Sequence, residues 1–216
     1  MSELDVNSLL REAACFADRE SSYSGPKLYG VNDGKTVGTY LEQEFQTYLS
    51  EKYSFEKGDS ASGIDFPQLE VDIKTTSVRQ PQSSCPFESA RQKVYGLGYN
   101  ILIFVYEKTD DDTEGTAKLD MRHTIYVDKP RTADYQMTRG ILEIIQRSGN
   151  RDDIFAFIND KNLPVDEIEA NNLADAILQR PPAQGYLTIS NALQWRLQYK
   201  RVIQEAGYVD GVHRLR

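Results

Sequence analysis

Two carboxylates and a lysine between residues 65 and 74 have the spacing that best suits chemistry. Asp65 follows a glycine- and serine-rich stretch, Lys57–Gly63. Asp72 and Lys74 are separated by one residue in an alternating segment. If that segment is a strand, the two side chains project from the same face. Carboxylates brought together in a partly buried cleft repel each other unless a cation lies between them, so this pattern predicts a metal site.

The kind of metal follows from the ligand atoms. The site has oxygen donors and no nearby His or Cys, which favours Mg²⁺ over Zn²⁺. Mg²⁺ held by a few carboxylates keeps several waters and can polarise a phosphoryl oxygen. Lys74 could orient the attacking water and stabilise developing negative charge. The combination suits hydrolysis of a phosphodiester, and the alternative interpretation is that Asp72 and Lys74 form an ordinary exposed pair on a strand.

The elements that must position these residues follow from hydrophobic periodicity. Helices are predicted over 3–20 and Val37–Tyr53, the second because buried-type residues recur every four positions. Leu69–Ser77 alternates like a half-buried strand, and the apolar run Asn100–Tyr106 is typical of a central strand. The other predicted elements are a helix from about Phe87 to Leu97, a strand over Leu119–Asp128, and helices at roughly 132–148, 152–161, 164–179 and 190–206.

This order of elements predicts an α/β (α+β) fold in a single domain, 1–216. The core spans about 30–130, and a C-terminal helical elaboration spans about 131–216. The helix before the metal site carries two acids, Glu42 and Glu44, about 200° apart around its axis. Only one of them can face the site, and Glu42 is favoured because it lies next to Leu41 in the buried stripe.

The residues of this region resemble a known nuclease signature. Asp65 followed by Asp72-Ile73-Lys74 resembles the PD-(D/E)XK motif, with Ile-Asp-Phe where the family often has Pro-Asp. Upstream, Gly34–Glu42 (GKTVGTYLE) resembles the first-helix acid motif of the branch that includes the mismatch-repair nicking enzyme MutH and related type II restriction endonucleases. The resemblance is confined to the segment between Gly34 and Thr75.

The resemblance implies a restriction-endonuclease-like core, with a central mixed β-sheet flanked by helices. It implies that Asp65, Asp72 and the Ile73 carbonyl bind Mg²⁺, that Lys74 is the catalytic lysine and that Glu42 supports them. The implied activity is that of a type II restriction endonuclease, cutting double-stranded DNA at a specific short sequence. A homodimer in the bacterial cytoplasm is also implied. Two alternatives stay open: a repair-type nicking endonuclease, and a non-catalytic DNA-binding module on a nuclease fold.

Charge is unevenly distributed along the chain. The sequence has 25 Lys and Arg against 33 Asp and Glu, a formal net charge of −8, which argues against DNA binding through bulk positive charge. Residues 178–216 nevertheless carry six basic and two acidic residues, whereas Asp152–Asp175 carries seven acids and one lysine. The basic tail is therefore a predicted DNA-facing surface. The candidate DNA-binding residues are Arg79, Gln82, Arg91, Lys93, Gln194, Arg196, Lys200 and Arg201.

The sequence disfavours a disulfide-stabilised miniprotein, a cysteine metal site and a membrane-spanning protein. Two cysteines, Cys15 and Cys85, cannot form a disulfide framework and lack partners at metal-site spacing. The longest apolar run, Ile101–Tyr106, is far shorter than the ~20 residues that cross a bilayer. His123 and His213 are isolated, so we expect structural roles for them.

Overall fold

The computed structural model describes residues 2–58, 63–85, 88–190 and 195–216. The strands are β1 (Ser2–Glu3), β2 (Ser24–Gly25), β3 (Tyr53–Ser54), β4 (Val71–Ser77), β5 (Gln82–Cys85), β6 (Asn100–Asp111), β7 (Thr116–Val127), β8 (Thr188–Ile189), β9 (Trp195–Gln198) and β10 (Val212–Arg214). The helices are α1 (Val6–Ser22), α2 (Gly34–Ser50), α3 (Gln92–Tyr95), α4 (Tyr135–Gln146), α5 (Arg151–Asp160), α6 (Glu167–Gln179) and α7 (Lys200–Glu205).

The chain divides into two compact units. Unit 1 contains Met1–Ser83, Asn100–Val127 and Glu205–Arg216. Unit 2 contains Ser84–Tyr99 and Asp128–Gln204. The single domain that the sequence predicts over 1–216 stays a prediction.

Unit 1 is built on a mixed sheet in the order β10-β7-β6-β4, with β2 also paired to β7. β4 and β6 are parallel, whereas β6 pairs antiparallel with β7, and β7 with β10. α1 packs against β7, and α2 packs against β4. The central mixed sheet flanked by helices is therefore confirmed. β6 is longer than predicted because its pairing with β7 continues past Tyr106 to Asp111.

The core of unit 1 is aromatic where α2 meets the sheet. The ring of Phe45 lies 5.0 Å from that of Phe16, 5.3 Å from that of Phe104 and 6.4 Å from that of Phe66, measured between centroids. All four side chains are buried. Such contacts each contribute about 0.5–1.5 kcal/mol beyond the burial of apolar area. They pack α2, the helix that carries Glu42, against α1, β6 and the residue that follows Asp65.

Unit 2 is mainly helical. α4, α5 and α6 bury one apolar face each, including Ile141, Ile154 and Leu173. Asp134 and Asn150 cap the first two of these helices, because their side chains accept the free amide N–H groups of the first turn. No helix in the described ranges of either unit has both the length and the apolarity that a membrane span requires.

The predicted helix over 190–206 is wrong at residues 195–198 and is confirmed over Lys200–Glu205, and residues 191–194 lie outside the described ranges. Residues 195–198 form β9, which pairs antiparallel with β8, and only Lys200–Glu205 is helical. The reason is visible in the burial pattern, since Leu197 and Tyr199 are buried while Arg196 and Gln198 are exposed. That alternation is the period of a strand.

Two other elements have different bounds in the structure from those predicted. The helix expected from about Phe87 to Leu97 is a short turn over Gln92–Tyr95, and residues 86 and 87 lie outside the described ranges. The strand predicted from Leu69 begins at Val71, because Pro67–Leu69 forms a turn of 3₁₀-helix that ends at a left-handed Glu70 (φ 51°).

Candidate active site

β4 presents the predicted Asp72 and Lys74 on one face. Parallel pairing sets its register, with Asp72 opposite Ile101 and Lys74 opposite Ile103 on β6. The Oδ2 atom of Asp72 is 2.5 Å from Lys74 Nζ, and Asp72 is only 4% exposed. The pair is therefore not the ordinary exposed strand pair that the sequence also allowed.

A tight turn brings Asp65 back to the same strand. The N–H of Phe66 donates to the carbonyl of Val71 at 2.9 Å, and the N–H of Val71 donates to the carbonyl of Phe66 at 3.2 Å. This reciprocal pair closes the chain between the two residues. As a result, Oδ2 of Asp65 accepts a hydrogen bond from the N–H of Ile73 at 2.6 Å.

The two aspartates form an electrostatically strained pair. Burial raises the pKa of Asp72 to about 7; Lys74 opposes the rise and the Asp65 carboxyl adds to it. Burial likewise raises the pKa of Asp65, with the hydrogen bonds from Asp72 and Ile73 opposing the rise and Glu42 adding to it. Desolvation and a nearby like charge both disfavour ionised carboxylates. A bound cation would reverse this effect.

The α2 helix distinguishes the two candidate acids. Asp33 caps it, since its side chain accepts the N–H groups of Lys35 and Thr36. Glu42 is half-buried and close enough to Asp65 to raise the pKa of that carboxyl. Glu44 instead forms an ion pair with Lys27 at 2.8 Å. The structure therefore brings Glu42, and not Glu44, to the aspartate pair.

The chemistry of this cluster fits a hard divalent cation. Asp72 Oδ2 is buried and, among the described residues, has no well-aligned hydrogen-bond donor, despite the nearby Lys74 Nζ. Nowhere in the described ranges do three or more His, Cys, Asp or Glu side chains form a metal-holding group. The protein would thus offer two carboxylates and leave the remaining positions to other oxygen atoms, which is the way Mg²⁺ usually binds.

Comparison with known proteins gives the family. A family model described as "Type II restriction enzyme NspV" matches residues 3–214. The chain belongs to this family of type II restriction enzymes. A curated relative, "Type II restriction enzyme NspV" from Nostoc sp., is 63% identical over 212 residues, which cover 98% of this chain and 96% of the relative. No solved structure matches the chain.

Family membership shows the activity class. This chain is a type II restriction enzyme, a site-specific DNA endonuclease, as the resemblance of residues 34–75 implied. DNA is its substrate, and enzymes of this type generally use a divalent metal ion. The carboxylate cluster on β4 is the feature of unit 1 that suits such an ion.

The candidate DNA-binding residues of unit 1 lie shortly after β4, the strand that carries Asp72 and Lys74. Arg79 is exposed and Gln82 is half-buried at the start of β5. Between them the chain turns back, and the hydroxyl of Thr76 bonds to that turn. Thr76 was absent from the predicted site residues, although its place two residues after Lys74 put it on the same strand face.

The candidates in unit 2 have varied surroundings. Arg196 and Lys200 are exposed, and the exposed Arg91 lies over the ring of Tyr95 at 5.5 Å. Lys93 is only 6% exposed, so its position inside unit 2 does not favour a contact with DNA. Gln194 lies outside the described residues.

Arg201 is the most constrained of these cations. Its guanidinium lies 3.6 Å from the centroid of the Tyr135 ring, in face-on stacking distance. Its Nε atom is buried and has no hydrogen-bond partner among the residues that the structure describes. The aromatic partner could not be predicted from the sequence, because the two residues are far apart along the chain.

Proposed function

We propose that this restriction enzyme cleaves double-stranded DNA at a PD-(D/E)XK centre that depends on Mg²⁺. Asp65 and Asp72 would hold the metal together with the Ile73 carbonyl, Lys74 would act on the attacking water, and Glu42 would support the cluster. The observation that carries the proposal is the buried Asp72 carboxylate, which has Lys74 Nζ 2.5 Å away. The Asp65 carboxyl lies close enough to add to the raised pKa of Asp72.

Each residue has a distinct task in this proposal. When bound, the metal supplies Lewis-acid polarisation of the phosphodiester. The Ile73 N–H fixes one oxygen of Asp65, which leaves the other oxygen for the cation. Lys74 has its ammonium beside Asp72, where it can hold a water in line with phosphorus and stabilise the charge that develops on the phosphate oxygens.

Mg²⁺ is proposed as the metal on the basis of donor chemistry. Carboxylate and carbonyl oxygens suit hard cations, and a site with few protein ligands leaves room for waters, which Mg²⁺ releases reluctantly. Ca²⁺ prefers six to eight oxygen ligands, more than two aspartates and one carbonyl provide. We therefore expect Mg²⁺ to support cleavage and Ca²⁺ to support it poorly.

The DNA contacts and the assembly complete the proposal. Arg79, Gln82, Arg91, Arg196, Lys200 and Arg201 are proposed to contact DNA. Phosphate contacts would supply affinity, whereas Gln and Arg contacts to base edges would supply sequence choice. A homodimer is proposed because twofold protein symmetry matches twofold DNA sites. The proposed location is the bacterial cytoplasm, where the DNA substrate is.

One digestion experiment tests the proposal. The purified protein is incubated with a fully sequenced DNA and Mg²⁺, and the cut ends are mapped. We expect discrete double-strand cuts at one short sequence, no cutting in EDTA, and recovery when Mg²⁺ is restored. A supercoiled plasmid that accumulates only nicked circles would contradict double-strand cleavage. Binding of DNA without any Mg²⁺-dependent cutting would contradict the catalytic assignment.

A further inference from the structure

Thr76 is a buried hydroxyl whose hydrogen bonds all go to one turn of the backbone. It is 4% exposed. Its Oγ1 accepts the N–H of Gln82 at 2.9 Å, and it lies 3.1 Å from the Gln82 carbonyl and 3.2 Å from the Gln80 carbonyl. A hydroxyl can donate one proton and accept others, so it satisfies both sides of the turn. Thr76 therefore anchors the segment 78–82.

The anchor lies on the strand face that carries the catalytic pair. Asp72, Lys74 and Thr76 occupy alternate positions of β4, so their side chains share one face. Four residues of strand span roughly 13 Å, a length that corresponds to about four base pairs along a duplex. A segment held at Thr76 is thus placed to contact the same DNA that is cut beside Asp72.

The segment 78–82 contains one arginine, Arg79, which is exposed to solvent. No carboxylate in the described part of the chain forms an ion pair with it. It lines a cleft of about 370 Å³ in unit 1 that also contains Asn32, Ser77, Glu107 and an ion pair between Lys108 and Asp110. An exposed arginine that has no carboxylate partner of its own suits a phosphate oxygen.

We propose that Thr76 is a positioning residue of this endonuclease: its hydroxyl holds the 78–82 turn so that Arg79 contacts a backbone phosphate of the bound DNA near the cut. This inference rests on the proposed function, because it needs DNA to lie across β4. Thr76 itself touches neither metal nor substrate. It acts by lowering the conformational freedom of Arg79 before binding, which reduces the entropy that binding costs.

The test compares three threonine variants by steady-state cleavage of a duplex that contains the mapped site. Thr76→Val keeps the shape and removes the hydroxyl, Thr76→Ser keeps the hydroxyl, and Thr132→Val is the matched control. Thr132 is also buried; its hydroxyl accepts the N–H of Leu97 at 2.9 Å and donates to the Lys129 carbonyl at 2.8 Å. Both valine variants therefore lose a comparable pair of backbone hydrogen bonds.

We expect Thr76→Val to raise KM about tenfold and to change kcat by less than about twofold. A contact made equally in the bound substrate and in the transition state contributes to KM and not to kcat. Thr76→Ser should stay near the wild-type KM, and Thr132→Val should lower the melting temperature without raising KM. Equal KM values for the two valine variants, or a Thr76→Val loss confined to kcat, would overturn the proposal. If the wild type cuts no DNA, the proposed function fails instead.

Arg79→Ala keeps the proposal testable if Thr76→Val does not fold. This exposed substitution should raise KM and reduce the slope of log KM against log salt by about one, as expected for one lost phosphate contact. Where Thr76→Val does fold, adding it to Arg79→Ala should raise KM no further, because residues that act through one another are non-additive. Additive effects, or an unchanged salt slope, would show that Thr76 does not act through Arg79.

Discussion

Asp65 is hydrogen-bonded to the backbone of Ile73. Its Oδ2 accepts the Ile73 N–H at 2.6 Å, and Ile73 lies between Asp72 and Lys74 in β4. This hydrogen bond thus links the turn residue Asp65 to the segment of β4 that carries Asp72 and Lys74. Because the donor is a main-chain group held by sheet pairing with Leu102, the position of Asp65 depends on the sheet itself.

The variant Asp65→Asn should separate the structural and catalytic tasks of this residue. The amide oxygen of the substituted side chain can still accept the Ile73 N–H, so we expect the melting temperature to stay within a few degrees of wild type. Cleavage should fall at least about 100-fold, since a neutral amide binds a divalent cation poorly. Thermal unfolding and the cleavage rate measure the two effects. Near-normal cleavage by Asp65→Asn would contradict the proposal that Asp65 binds the metal.

The Asp72 carboxyl should cost the metal-free protein stability at neutral pH. Its folded pKa is raised from 3.8 to about 7, so between these values the unfolded chain ionises while the folded site stays protonated. The free energy of unfolding therefore falls as pH rises from about 4 to 7 and stays low above that range.

We expect Asp72→Asn to remove that cost and, if Asp72 holds the metal as proposed, to abolish cleavage. In EDTA at pH 8 we expect the variant to be at least ~1 kcal/mol more stable than wild type, which is about 2–4 °C in melting temperature for a chain of this size. At pH 4 the two proteins should melt together. A variant that is less stable than wild type at pH 8 would show that the Lys74 pair outweighs the desolvation of Asp72.

The sequence predicted that Asp72 and Lys74 share a strand face, but not the backbone conformation of the turn that brings Asp65 back to that strand. Residue types and period-two alternation were enough to place Asp72 and Lys74 together, because strand geometry fixes which side chains share a face. The return of Asp65 requires a left-handed Glu70, at φ 51°, which a non-glycine residue adopts uncommonly. Nothing in the residue type signals it, so the Asp65–Ile73 bond could come only from the structure.

The matched pair Glu42→Gln and Glu44→Gln tests which helix acid belongs to the site. Glu42 acts on Asp65, whereas Glu44 pairs with Lys27 on the surface. We expect Glu42→Gln to slow cleavage at least about tenfold, because it removes a charge that supports the cation. Glu44→Gln should change the rate by less than about twofold, since exposed ion pairs contribute little. A larger loss for Glu44→Gln, measured in the same cleavage assay, would reverse the assignment.

The C-terminal segment shows where pattern analysis failed. Residues 195–199 have apolar side chains at every second position, yet Trp195 and Tyr199 are also four residues apart, a spacing that places two side chains on one face of a helix. Short segments are ambiguous between the two periods, and pairing with Thr188 and Ile189 decides the outcome. That pairing partner is a two-residue strand, too short to be recognised from sequence.

A buried carboxylate outside the candidate active site should make unit 1 sensitive to acid. Glu12 on α1 accepts hydrogen bonds from Tyr48 at 2.7 Å, from Lys52 at 2.6 Å and from Tyr53 at 3.0 Å. The Lys52 bond is the largest of the effects that lower the pKa of Glu12 from 4.5 to about 2. A lowered pKa means stability that is complete above pH 4.5 and is lost as pH falls towards 2.

Glu12→Gln should therefore remove part of the acid dependence of unfolding. We expect the variant to be less stable than wild type at pH 7, by at most about 3 kcal/mol from the pKa difference. The gap should narrow progressively between pH 4.5 and 2, because wild type loses the ionised interaction there and the amide does not titrate. The control is Glu51→Gln, at an exposed position at the end of the α2 helix. Its free energy of unfolding should depend on pH as that of the wild type does. Denaturant unfolding at a series of pH values measures these free energies. A stability difference between Glu12→Gln and wild type that stays constant down to pH 2 would show that Glu12 contributes packing and not charge.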